Sequence, residues 1–224
     1  MKKAAIALLV LAGLTGAAQA QSMYAKAGLL GVGLGYAHGI NKNFGARADF
    51  TTMGSLSKDG TSDDFDYEGK FKYNQVGVYG DWFPFAGGFH LTGGLNLRQA
   101  HLTAHARPNQ FGTVTIGDTE VGFGAGDSVT AKIKLPNVAP YLGLGWGHNV
   151  SAQTSGFAFF ADVGVSIGKP KVSLNVNDSL MAKLNTASGG QAQAEIDKQI
   201  NSIKDDADKI KVFPQIYIGV AYKF

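Results

Sequence analysis

The chain contains no cysteine, which excludes disulfides, thiolate catalysis and thiolate metal sites. It also lacks an excess of charge of either sign. Twenty Lys and Arg face 17 Asp and Glu, and setting aside Lys2 and Lys3 leaves 18 against 17. So balanced a chain carries no electrostatic footprint for nucleic acid, and none is expected as a partner. Beyond residue 20 no apolar run reaches the roughly 20 residues that a membrane helix requires.

The N-terminus has the pattern of an export segment. Lys2 and Lys3 precede an apolar run over 4–14, and Ala18-Gln19-Ala20 places small residues where a signal peptidase reads. The expectation is a signal peptide over 1–20, cleaved after Ala20, and one domain over 21–224.

Glycine is abundant, 31 of 224 residues, and aromatics make up 11%. A chain that crosses a membrane without helices must close its strands into a barrel, because lipid cannot satisfy open backbone N–H and C=O groups. The signature is segments of about ten residues, apolar at alternate positions, separated by turns. The last segment has it: Ile216, Ile218, Val220, Tyr222 and Phe224 on one face, Gln215, Tyr217, Gly219, Ala221 and Lys223 on the other. The ending Gly219-x-x-Tyr222-x-Phe224 resembles the terminal signal read by the outer-membrane barrel assembly machinery.

Six further segments alternate in the same way, centred on Val32–Tyr36, Phe44–Phe50, Val76–Trp82, Phe89–Leu97, Leu142–Trp146 and Phe157–Ile167. Short connections near 39–43, 84–88 and 148–156 alternate with long ones near 53–66, 103–134 and 169–210. That is the rule for periplasmic turns and outer loops. Aromatics such as Trp82, Phe89, Trp146 and Tyr222 lie beside the short turns and predict a periplasmic girdle. Bacterial barrels have even strand numbers, so one strand is still owed. Two readings remain: a short strand at about 22–28 turning at 28–31, or one long strand 23–38 with the eighth hidden in a loop.

The last long loop, about 175–210, contains Ile196, Ile200, Ile203, Ala207 and Ile210 at helical spacing. It predicts one amphipathic helix before the last strand, packed on the barrel rim or mouth or acting as a movable lid. The fold expected is therefore all-β, an eight-stranded antiparallel transmembrane β-barrel with that helix.

The inner face collects Arg47, Asp49, Asp81, Arg98, Asp162 and Lys223, with Tyr79, His90, Asn96, Tyr141 and Tyr217. An eight-stranded barrel is just wide enough for its side chains to fill, and charges inside it must pair. This lumen network is either a satisfied polar core or a narrow path for a small zwitterion. No catalytic group, metal site or cofactor is expected. His101 and His105 lack a third ligand, His148 and Ser151 have opposite parity at a turn, and Gly31-x-Gly33-x-Gly35 lacks the spacing of a dinucleotide loop. The charged stretch 57–67, with Asp59 and Asp66, reads as a solvated outer loop.

Val138-Ala139-Pro140-Tyr141-Leu142-Gly143, Gly168-Lys169-Pro170-Lys171-Val172 and a charged helix leading into Phe213-Pro214 resemble the CarO-type carbapenem-associated outer-membrane proteins. Tyr79-Gly80-Asp81-Trp82-Phe83-Pro84 fits the same family, a relative of the wider OmpA-like eight-stranded barrels. The resemblance implies passive passage of small basic amino acids and carbapenems. The expected function is a narrow channel for small polar or zwitterionic solutes. The alternative is a structural or adhesive module with a closed polar interior, acting through its outer loops. The expected setting is the outer membrane of a Gram-negative bacterium, as a monomer amid membrane lipid and lipopolysaccharide.

Overall fold

The computed structural model describes residues 20–61, 65–152, 154–207, 209 and 211–224. The expected export segment, but for Ala20, lies outside the described residues, as does Ile210 of the predicted helical stripe. In chain order the elements are β1 (Gln21–Gly28), β2 (Gly31–Gly39), β3 (Phe44–Thr61), β4 (Phe65–Trp82), β5 (Phe89–Pro108), β6 (Gly112–Ile116), β7 (Thr119–Phe123), β8 (Val129–Lys134), β9 (Val138–Trp146), β10 (Gly156–Ile167), β11 (Lys171–Val176), α1 (Asp178–Ala187), α2 (Ala192–Ala207) and β12 (Val212–Lys223).

Eight of these strands close an antiparallel ring in the order β1-β2-β3-β4-β5-β9-β10-β12, with β12 returning to β1. The owed strand is β1. Residues 21–28 and 31–39 are separate strands, turning at Leu29-Leu30, so the single long strand does not occur. Glycine makes so tight a turn feasible: Gly31 has φ +104°, and a Cβ there or at Gly28 would strike the backbone of Thr52 or Ile216.

The alternation decides what each face meets. Leu34 is 69% exposed and Ile218 65%, whereas Arg47 is 5% and Asp162 6%. The barrel is inside-out relative to a protein dissolved in water. Each such apolar side chain left in water would forfeit roughly 1.5–3 kcal/mol. A lipid surround removes that cost, so the ring is a transmembrane barrel.

The predicted outer loops are largely folded. β3 and β4 stay paired as far as Thr61 and Asp66, where a loop over 53–66 was expected. A bulge between Thr52 and Gly54 hid this. It inserts a residue, so odd positions face inward before it and even ones after it, and the two-residue count is lost. β5 also runs on, changing partner from β9 (to Leu97) to β8 (from His101). With β11 added, an outer sheet β3-β4-β5-β8-β11 rises from one side of the barrel.

On one face of this sheet sit the β6–β7 hairpin and two helices, around a core of Ile116, Val121, Phe123, Leu180, Leu184, Ala192 and Ile196. The single predicted helix is therefore the second of a pair. Asn177 caps the first by accepting a bond from the Leu180 N–H. α2 packs on the hairpin and the outer sheet through Ile196 and Ile200. Its C-terminal end, through Ile203 and Ala207, lines a cavity at the rim together with Leu135 and Phe213.

Candidate functional site

The barrel interior is built in layers. In the layer nearest the short turns, Arg47 on β3 holds two carboxylates. Its Nε lies 2.6 Å from Asp81 Oδ2 and its Nη2 donates to Asp81 Oδ1 at 2.9 Å. Nη1 donates to Asp162 Oδ2 at 2.9 Å. Thr92 donates to Asp81 at 2.7 Å. His90 and His148 each place Nε2 3.1 Å from an Asp162 oxygen. All six side chains are buried. A guanidinium shared by two carboxylates satisfies ions that would be costly to bury singly.

One step toward the outside, Lys26 donates to Asp49 at 2.7 Å and Tyr24 to the same oxygen at 2.9 Å. The Lys26 ammonium also lies 4.3 Å from the centre of the Tyr217 ring. Above that the layer is uncharged. Tyr73 donates to Gln75, Tyr79 to Asn96, and Asn96 to Ser166, at 2.7, 2.9 and 2.7 Å. Gln75 donates to Gln215 at 3.4 Å.

Two of these contacts cross the full width. β3 and β10 stand four places apart in the ring of eight, as do β4 and β12. Arg47–Asp162 and Gln75–Gln215 thus join diametrically opposite walls. The floor is filled as well. The turn after β9 folds under the barrel, and Val150 packs against Tyr24, Ala37, Phe160 and Ala221. Asn149 Nδ2 ties this turn to the other short turns through Lys42 O and Gly87 O, at 3.1 and 2.8 Å.

The inward glycines let the aromatic rings lie flat against the wall. A Cβ at Gly35 would collide with the Tyr24 ring, and one at Gly164 with Tyr141. These rings fold onto neighbouring strands.

The structure places Arg47, Asp49, Asp81, Arg98, Asp162, Tyr79, Tyr141 and Tyr217 in the buried interior. Arg98 stands apart from the carboxylates, at the rim: its Nε donates to Pro136 O at 2.9 Å and its guanidinium lies over Phe213. Lys223 is half-buried at the short-turn edge of the barrel, opposite Ser22 and Gly156. Gly219, Tyr222 and Phe224 are at the end of β12, with Tyr222 packed between Phe157 and Phe224.

Sequence reasoning missed Tyr24, Lys26, Tyr73, Gln215 and His148 as network members. The first two share one face of β1, a period-two signal that was available. His148 has φ +59° in a turn, where alternation says nothing. Among the described residues no group of three or more His, Cys, Asp or Glu is arranged to hold a metal ion. His101 and His105 lie on strand β5, and His105 is engaged by Thr130 and Arg107 at 2.7 and 3.0 Å. Asp66 accepts from Thr61 at 2.8 Å, closing the β3–β4 hairpin.

No protein-family model and no curated protein sequence matches the chain. Solved structures do. CarO2 of Acinetobacter baumannii superposes with a TM-score of 0.57 at 22% identity, over 91% of this chain and 98% of that one. CarO of the same organism gives 0.52 at 18% identity, over 91% and 97%. The chain has the CarO-type fold. The likeness spans the barrel and the outer part together, so the shared architecture includes more than the eight-stranded ring.

Proposed function

We propose that the chain is a non-conducting, non-enzymatic barrel of a Gram-negative outer membrane that acts through its folded outer part. The observation carrying this reading is the pair of contacts between opposite walls, Arg47–Asp162 and Gln75–Gln215, in two separate layers. A solute path along the axis would have to break both, and would pass Val150 at the floor. Breaking a buried ion pair costs about 3–5 kcal/mol, too much for a freely open pore. The ordered outer sheet, hairpin and helix pair supply the alternative: a rigid surface held above the membrane. The membrane assignment is supported by the apolar outer face and the CarO-type fold. Its outer-membrane placement rests further on the expected export segment.

The test is planar-bilayer recording of the purified, refolded protein at high salt. No discrete conductance steps are expected from the wild type. Reproducible single-channel steps would overturn the closed reading and restore the channel for small polar solutes.

A further inference from the structure

The outer sheet has two unlike faces. One carries Phe71, Leu102, Ile133 and Val172, opposite one another in register, and continues the inner side of the barrel. The other continues the lipid-facing side, and it is cationic. Lys72, His101, Lys134 and Lys171 lie side by side across β4, β5, β8 and β11. In the next row outward come Lys70, Thr103, Lys132 and Ser173. Neither row contains an acidic residue. Lys70 bonds Glu68 of the following row at 3.0 Å, with both side chains about half exposed. Lys72, Lys134 and Lys171 are exposed.

Height is what gives these rows meaning. The lipid-facing apolar residues of this wall end at Val76, Leu97 and Val138. His101 follows Leu97 by four residues, about 13 Å along a strand and about 10 Å in height once the strand tilt is included. Between the two levels lies an outer-surface groove of about 510 Å³, lined by Val76, Leu97 and Val138 below and by Asn74, Gln99 and Asn137 above. From the membrane outward the wall therefore reads apolar, amide, ammonium. His101 supports the charge placement: burial, then Lys132, Lys72 and Lys134, hold its imidazole below the ordinary value.

We infer that this wall binds a phosphorylated glycolipid of the surrounding outer leaflet. The acyl chains lie on Val76, Leu97 and Val138. The sugar meets the amides of Asn74, Gln99 and Asn137, and the phosphate meets the lysine rows. The amide tier favours a sugar headgroup over a glycerol one. Ammonium groups about one strand spacing apart can replace the cations that otherwise bridge neighbouring phosphates. The inference rests on the membrane reading above, because the groove is presented only to lipid.

The experiment is binding of fluorescent lipopolysaccharide to the refolded protein in detergent micelles at low salt. Juxtamembrane basic residues contribute about 1 kcal/mol each, so K72Q/K134Q/K171Q should weaken binding about 100-fold. Binding should be restored in K72R/K134R/K171R and unchanged in K58Q/K204Q/K211Q, which removes exposed lysines elsewhere. Dephosphorylated glycolipid and phosphatidylglycerol should bind more weakly than the intact lipid, and millimolar inorganic phosphate should compete only weakly. Equal affinity of the triple Gln variant, or of the dephosphorylated lipid, overturns the site. Phosphatidylglycerol binding as tightly as the glycolipid overturns its sugar specificity. Insertion of the wild type into phosphatidylethanolamine vesicles is read separately, as a faster-migrating unheated band on a gel. Failure there overturns the membrane reading itself, whereas insertion without lipid preference overturns only this inference.

Discussion

Arg47 is the residue on which the interior converges. It sits at 5% exposure between Asp81 and Asp162, and its three guanidinium nitrogens are all within ion-pair or hydrogen-bond distance of them. Replacing it with Met leaves the two carboxylates facing each other without their shared cation. The expected loss is about 3–5 kcal/mol of unfolding free energy, measured by urea titration in vesicles with Trp82 and Trp146 fluorescence as the signal. Adding D81N and D162N to R47M should recover most of it, since the uncompensated charge is then gone. Arg47, Asp81 and Asp162 were legible in the sequence because charge on the inner parity of a lipid-facing strand has nowhere else to go. Their partners were less so. Asp162 draws two donors from histidines, and one of these, His148, stands in a turn whose path depends on Asn149 bonding Lys42 and Gly87. Contacts between turns so distant in sequence leave no local pattern.

At the scale of elements, seven barrel strands followed from alternation and the eighth from the even strand number, with two places open for it, while the outer part did not follow. The bulge after Thr52 reverses the parity of β3, and β6, β7, β8 and β11, at five or six residues each, are too short to establish a rhythm. α1 hides for a related reason: its buried positions are only Leu180 and Leu184. What holds these pieces together includes two acidic groups. Glu195 accepts from Lys198 at 2.7 Å and from the Asp118 N–H at 2.7 Å, and these bonds hold its carboxyl below the ordinary value. Burial raises Asp127, but Lys183, Ser179 and the Gly124 N–H outweigh it and hold it low. A carboxylate depressed in the folded state contributes stability that is complete above its unfolded value, about 4, and is lost as pH falls through the folded one. Acidification below about pH 4 should therefore loosen the helix pair and hairpin first. Hydrogen–deuterium exchange, corrected for its intrinsic pH dependence, should rise over 112–123 and 178–207 before it rises in the barrel. E195Q should show part of that increase already at neutral pH. Simultaneous exchange in both regions would show that the carboxylates do not set the order.

For the molecule as a whole, β5 is a single strand of 20 residues that serves two sheets. Its lower half is paired to β9 and its upper half to β8, so the orientation of the upper half is inherited from the lower. One alanine inserted after Gln99 would turn His101 inward and present Leu102 to the lipid headgroups, in conflict with β8. Two inserted alanines would return both residues to their present sides. The single insertion is expected to abolish the faster-migrating unheated band, and the double insertion to keep it. Length changes in this wall are thus tolerated only in even steps, and the shared strand acts as a reading frame for the surface that the molecule shows to the outside.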